Sequence, residues 1–574
     1  MDKGDTPQGA TRRSFLGGAA TGVIGGALAT TAYMTLGRSD DHWDDTTDIL
    51  VVGAGAAGCA AAVTAHELGK AVLLLEKGPV VGGTAAKSVG GVWVPANRAM
   101  KEAGITDNRE DCLRYMARLS FPEHFQPDGE RFGASPTAYM LMETYYDNAQ
   151  RAVEQLERQG ALKLISKKFN GGFMPDYFAH LPEDKAPNGR CLFVGDDAGN
   201  LANGAEMMRR FGEAIETRGI AVRKRTSAQQ LVLDDEGAVI GLVASTKDGT
   251  PVRIRAKKGV IFATGGFTHD PAMRKHFLKG PVFGGCAVPT NQGDFVKIAS
   301  AAGAQLGNMQ NAWWAQLPLE LALENPSVPT GIWCTPGDSM IQVNRKGTRF
   351  FDEKFVYNER TQAHFEWDPV SASYPNLLSF MIYDQRTADQ YAGFAPIPPK
   401  GASASHVMQA DSLDELARAI DARLEKIKDR TGGFSLDSGF LTSLRASVAR
   451  FNGLAQTGND SDFSRGKQPI DLFFHFFGPG KPENPLPNPT MHPLSATGPY
   501  YAIILAAGTL DTNGGAVIDD KARVLTPLNE PIPGLYAAGN CSAACSGQAY
   551  WAGGATLGPA LTFGVIAAES AAAG

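Results

Sequence analysis

Short apolar runs alternate with longer helical stretches from residue 46 onward, and that alternation predicts most of the fold. Residues 49–52 and 72–75 are unbroken apolar runs of strand length, the kind that a parallel sheet buries on both faces. The small-residue stretch between them reads as a helix. Farther on, 138–160 and 201–219 read as helices, and 221–222, 230–233 and 239–244 as strands. Residues 260–267 read as another parallel strand ending in glycines, and a helix starts at Asp294. Such a series builds a doubly wound, Rossmann-like α/β domain. From about 308 to 490 aromatic residues and prolines become more frequent, a Gly-Thr-Arg-Phe-Phe-Asp turn stands at 347–352, and amphipathic helical patterns cover 412–430 and 443–455. This predicts an inserted α+β domain that caps the first. The expected layout is therefore a leader over 1–44, the first domain over 45–307, the insertion over 308–490, and a return to the first domain over 491–574, closing in a helix from about Leu557.

The loop after the first strand carries a dinucleotide fingerprint. Gly53, Gly55 and Gly58 stand in the spacing G-x-G-x-x-G, and Glu76 closes the second strand. Gly53 permits the tight turn, Gly55 lets a pyrophosphate approach the backbone, and Gly58 lets the helix pack closely on the sheet. The helix N-terminus offers free N–H groups and a partial positive charge to phosphates. Glu76 suits ribose hydroxyls. Strand, glycines, helix, strand and acid in register make the motif specific, where the glycines alone are weak.

Three further segments indicate which dinucleotide. Gly82-Gly83-Thr84 follows Glu76 and Lys77, Gly265-Gly266 ends the 260–267 run, and Gly539-Asn540 lies near the end of the chain. With these segments the chain resembles the flavoproteins of the fumarate reductase and 3-ketosteroid dehydrogenase superfamily, over about residues 46–574. The resemblance implies FAD, with contacts from Gly53, Gly55, Ala56, Gly58, Glu76, Lys77, Gly82, Gly83, Thr84, Gly265, Gly266, Asp294, Gly539, Asn540 and Leu557. No histidine lies between 70 and 120, which argues for non-covalent binding.

A flavin brings hydride chemistry, and the protein must add orientation, proton transfer and charge stabilisation. The segment Pro175-Asp176-Tyr177 is similar to one that carries a substrate-facing tyrosine in 3-ketosteroid Δ1-dehydrogenases. In the stretch from Arg349, Tyr357 stands where fumarate reductases carry their proton-donating arginine and Δ1-dehydrogenases a tyrosine. Asp352 replaces the usual asparagine of that stretch. The run from Tyr550 to Gly558 resembles the Y-x-G-P-G-x-x-x-G stretch of the same enzymes, with Ala552-Gly553 in place of Gly-Pro. A phenol at Tyr550 and the N–H of Gly554 can converge on one carbonyl oxygen as an oxyanion hole, while Gly558 serves the cofactor. A free tyrosine ionises near pH ~10, so Tyr357 needs a neighbour such as Tyr177 to act as a base. The resemblance thus implies that Tyr550 and Gly554 polarise the C3 carbonyl of a 3-oxosteroid, that Tyr357 takes the C2 proton with help from Tyr177, and that hydride leaves C1 for the flavin.

Absences narrow the substrate. Where fumarate reductases grip a dicarboxylate with a histidine, this chain has Leu510-Asp511, a poor place for a dianion. His492 reads as structural. Lys87 stands where an aromatic residue is common in the resembling enzymes. Trp93, Phe173, Trp313, Trp314, Phe355 and Trp551 are candidate apolar walls for a steroid. Three alternatives stay open: a 3-oxosteroid 4-dehydrogenase, an ene-reductase of the fumarate reductase type acting on a neutral substrate, and an electron-transfer protein with no small-molecule substrate.

Composition adds bounds. A chain of 574 residues is long enough for more than one domain, and a formal net charge of −6 supplies no basic field for nucleic acid. Seven cysteines without C-x-x-C spacing support neither a zinc site nor a disulfide framework. Thr11-Arg12-Arg13-Ser14-Phe15-Leu16, followed by a mildly apolar run, reads as a twin-arginine signal. That predicts export through the twin-arginine machinery to the periplasm or cell envelope, with membrane association if the signal is kept. A quinone or another acceptor is expected to reoxidise the flavin.

Overall fold

The computed structural model describes residues 42–477 and 483–574; the expected export signal lies outside them. The first sheet has eight strands. Its centre is the strand Asp45–Val52, paired in parallel with Val72–Glu76 on one side and Pro251–Phe262 on the other. Parallel pairing continues outward to Ala221–Lys224 and to Pro531–Ala537. Antiparallel strands Ser227–Leu233, Val239–Ser245 and Arg523–Leu525 complete it, so the sheet is mixed rather than purely parallel. The central strand is apolar on both faces because both are covered: Ile49, Leu50 and Val51 are fully buried.

The helices Ala56–Glu67 and Leu557–Ala573 pack against one another at close range. A Cβ added to Gly564 would lie 2.5 Å from the Ala57 carbonyl oxygen. Alanine and glycine stand along both contact faces for this reason, since larger side chains would push the helices apart and lose dense packing.

Several boundaries moved from their expected places. The strand expected over 260–267 ends at Phe262, and Ala263–Gly266 leaves the sheet to form a loop beside Gly53. Between Val72–Glu76 and Ala221–Lys224 the chain departs from the sheet altogether. It builds helices, including Arg109–Ser120, Pro136–Arg158 and Gly204–Thr217, and a small sheet of Gly91–Trp93, Cys191–Val194 and Leu164–Ile165.

A second, antiparallel sheet of five strands carries the α+β region. Its central strand, Tyr500–Thr512, pairs with Ala312–Pro318, Leu378–Asp384 and Val407–Ala410. This strand lies within the stretch expected to return to the first domain. It instead closes the second sheet, and the chain rejoins the first sheet at Arg523–Leu525 and Pro531–Ala537. Its thirteen residues are nearly all buried, because one face meets the helices Leu413–Ile427 and Phe440–Thr457 and the other packs Ile503 and Leu505 against Ile332, Tyr391 and Ile397. No helix among the described residues is long and apolar enough to cross a membrane.

Candidate active site

A cavity of about 270 Å³ runs from the glycine loop of the first sheet to the underside of the second. One side of it is made of backbone. Gly53 has φ +103°, and a Cβ there would sit 2.3 Å from the Ala263 carbonyl oxygen; one on Gly58 would sit 1.8 Å from that of Gly53. Gly55 is different, because its added Cβ meets no atom within 4 Å. The loop therefore folds back on itself at Gly53 and Gly58 and leaves open space at Gly55, which is the shape a pyrophosphate requires. Ala56, Gly83, Thr84, Gly265, Gly539, Asn540 and Leu557 also line this side.

Glu76 lines the cavity and braces it. Its carboxylate accepts the N–H of Ala54 at 2.9 Å and that of Gly78, tying the two glycine segments together. Lys77 is paired with Asp294 at 2.8 Å, and both face the cavity. Gly82 and Gly266 support the wall from behind without lining it. The N–H of Gly266 donates to Asp511 at 3.0 Å, and Asp511 also accepts from Asn291, Thr268 and Asn540. Asp511 is a residue the sequence showed only as an obstacle to a dianion; here it knots the Gly265-Gly266 loop to the Gly539-Asn540 segment. Burial pushes its carboxyl up, and the N–H donors around it act the other way.

The other side is made of side chains from three distant segments. The hydroxyls of Tyr177 and Tyr357 are 2.8 Å apart. The Tyr550 ring lies edge-on to both, with centroids 5.2 Å and 5.5 Å away. All three are almost fully buried yet line the cavity. Their placement follows from backbone fastenings. The N–H of Tyr177 donates to the Trp551 carbonyl at 3.1 Å, and the Tyr115 hydroxyl reaches the same carbonyl at 2.7 Å, so the Tyr177 and Tyr550 segments are clasped together. Behind Tyr177, Asp176 accepts from the Trp93 indole at 2.9 Å and pairs with Arg190, which also holds Asp107 and Asp184. Tyr357 opens the helix Tyr357–Gln362 under the second sheet.

Burial is the main cause that pushes all three phenols up. Tyr177 and Tyr357 lie well above the ordinary tyrosine value, and Tyr550 is pushed to about 12. Each therefore holds its proton at neutral pH, and of the paired hydroxyls only one can ionise while the other donates to it. Gly554 has φ +89°, and its N–H finds no acceptor among the described residues, while its carbonyl accepts from Trp93. Trp313 joins the two sides: its indole donates to Asn540 at 3.1 Å and its ring lies 5.1 Å from Tyr550.

Of the six aromatic residues expected as walls, only Trp313 lines the cavity. Trp93, Trp314 and Trp551 are fully buried. Trp93 and Trp551 stack near Tyr145 as a core cluster that supports the tyrosines from behind. Phe173 and Phe355 also lie off it. The apolar wall is instead Trp333, Phe473, Phe474 and Phe477, the last three from the helix Pro469–Phe477. The run Phe473-Phe474-His475-Phe476-Phe477 is visible in the sequence, but nothing in it says that one helix face meets a cavity. His492 is away from the cavity and bonds locally to Pro493, and Asp352 lies behind Tyr357 beside Asp471.

The family model described as the FAD binding domain matches residues 48–557. The chain belongs to this FAD-binding family. It is 30% identical to 3-oxosteroid 1-dehydrogenase of Mycobacterium tuberculosis, across 91% of this chain and 97% of that one. It is 29% identical to 4-oxocyclohexanecarboxylate 2-dehydrogenase of Sinomonas cyclohexanicum, across 92% of both. A similar solved structure is that of 3-ketosteroid Δ1-dehydrogenase from Sterolibacterium denitrificans in complex with 1,4-androstadiene-3,17-dione. It superposes with a TM-score of 0.76 at 26% identity and covers 92% of this chain and 100% of its own. The protein is an FAD-dependent oxidoreductase of the kind that acts on CH–CH groups. Gly53, Gly55, Gly83, Thr84, Gly265 and Leu557 stand where FAD would be held, and the open space at Gly55 fits it.

Proposed function

We propose that the enzyme removes two hydrogens from the carbon–carbon bond beside a ring ketone, the C1–C2 bond of a 3-oxo-4-ene steroid. The reading rests on one observation: Tyr177, Tyr357 and Tyr550 meet in the same cavity as the FAD-binding glycines, with two of their hydroxyls 2.8 Å apart. FAD, when bound, supplies the hydride acceptor. The Tyr550 hydroxyl and the free N–H of Gly554 donate to the ketone oxygen, which acidifies the adjacent carbon and stabilises the enolate as it forms. A Tyr550 that keeps its proton to about pH 12 suits a donor rather than a base. Tyr357, once it has lost its own proton to solvent, accepts the substrate proton, and Tyr177 donates to that phenolate. The largely aromatic wall favours an apolar ring body. A quinone or comparable acceptor takes the electrons onward. The relative that acts on 4-oxocyclohexanecarboxylate keeps a single-ring ketone within the same reaction class.

The test is anaerobic mixing of the flavin-loaded protein with a 3-oxo-4-ene steroid, following flavin absorbance and the steroid product. Bleaching with a 1,4-diene product is the expected result. Bleaching with a saturated 3-oxosteroid alone points to 4-dehydrogenation, and no bleaching with any ring ketone defeats the proposal.

A further inference from the structure

Among the described residues five charged side chains line the cavity, and four of them are matched. Lys77 and Asp294 neutralise each other, Glu76 accepts two backbone N–H groups, and Asp511 is surrounded by donors. Lys87 is the fifth. It ends the short turn Gly83–Lys87, and its ammonium donates to the Val328 carbonyl at 3.0 Å without an ion pair among the described residues. The nearest thiol, Cys286, is pushed up to about 12 by burial and so stays neutral. Partial loss of hydration lowers the Lys87 pKa. An ammonium on a cavity wall with no carboxylate beside it is free to meet a ligand of opposite charge.

The cavity wall also differs in exposure from place to place. Tyr177, Tyr357 and Tyr550 are deep, at 2%, 5% and 4% exposure, and neutral. Lys87 lies at the exposed rim, on the Val328 side, where Pro329 and Thr330 continue the wall. Trp333, Phe474 and Phe477 form apolar wall of the same cavity. A ligand that meets the tyrosines, the aromatic wall and Lys87 together has a carbonyl, an apolar ring body and an anionic group.

We propose that the ketone substrate carries a carboxylate remote from its reacting carbonyl, and that Lys87 selects it. The inference rests on the ketone dehydrogenation proposed above. A lysine ammonium at the rim recognises a single carboxylate as a point charge. This differs from dicarboxylate binding beside the reacting carbons, which Leu510 and Asp511 oppose.

The experiment measures kcat/KM for two acid–ester pairs: 3-oxochol-4-en-24-oic acid and its methyl ester, and 4-oxocyclohexanecarboxylate and its methyl ester. In the flavin-loaded enzyme the acid should exceed its ester by about tenfold or more in one pair, and which pair does so reports the ring size. The preference should fall by about tenfold in K87M, persist in K87R, and weaken with added salt. Flavin content of each variant checks folding, and K87Q replaces K87M if the latter does not fold. An acid-to-ester ratio near one in both pairs overturns the inference while leaving ketone dehydrogenation intact. So does a K87M enzyme that loses FAD affinity but keeps the preference. Failure of all four compounds to bleach the flavin removes the underlying reading instead.

Discussion

The two sides of the cavity are built on different principles. The cofactor side is backbone: turns with positive φ at Gly53, Gly83 and Gly265, an open position at Gly55, and the N-terminus of the helix that begins at Leu557. The substrate side is a set of side chains from positions 177, 357 and 550, brought together by clasps such as the Tyr177–Trp551 hydrogen bond. A backbone site tolerates no added atom where the chain crosses itself, whereas a side-chain site loses one function at a time. The first should fail by losing the cofactor or the fold, the second by losing rate with the cofactor still bound.

The largest effect is expected at Gly58, where any Cβ lies 1.8 Å from the Gly53 carbonyl oxygen. Gly58→Val should yield protein without flavin, or no folded protein, as read by the 450 nm region and by circular dichroism. A yellow, active variant would show that the loop can open. Next comes Tyr357→Phe, which should lower kcat by about 10²–10⁴ with FAD content unchanged, the range for loss of a general base. Near-normal turnover would sink its assignment. Tyr550→Phe should cost about 10²–10³ in kcat, as expected for one oxyanion donor, and Tyr177→Phe less than either, since it acts through Tyr357. A reversed order would move the base to another tyrosine. The pH profile sharpens the same point. Burial raises the paired phenols, and the base must lose a proton to work, so kcat/KM should climb with pH through neutrality and into the alkaline range. A rate that falls from pH 7 to 9 would contradict a tyrosine base.

The smallest effect concerns what holds the substrate side in place. Asp471, on the aromatic helix, faces Asp352, five residues before Tyr357; burial and then that neighbouring charge raise Asp471. An acid raised in the folded state ionises first in the unfolded chain, so this pair costs stability progressively as pH rises above the ordinary carboxylate range. Asp471→Asn should therefore gain on the parent by on the order of 1 kcal/mol between pH 5 and 8, measured by denaturant unfolding. A gain that shrinks with pH would reverse the sign assigned here.

Legibility followed the same division. Gly53, Gly55 and Gly58 were readable because a fixed turn demands fixed spacing. The tyrosines were readable only through resemblance, since a phenol has no spacing rule of its own. The aromatic wall was misplaced: Trp93 and Trp551 look like ligand contacts in the sequence, and their burial behind the tyrosines depends on where Tyr145 and Asp176 pack. Phe474 and Phe477 were missed for the converse reason. An apolar helix face toward a cavity and one toward a core have the same pattern.

FAD, then, came through resemblance, whereas the sequence by itself determined the parallel core of the first sheet and its dinucleotide glycine loop. These follow from contacts among neighbours in the chain and from conformations that only glycine adopts easily. Tertiary structure decided that Tyr500–Thr512 completes the second sheet, which residues form the wall, and that Lys87 has no counter-charge among the described residues. Those outcomes depend on pairings across tens to hundreds of residues, where several partners satisfy the same local pattern and only the packed whole selects one.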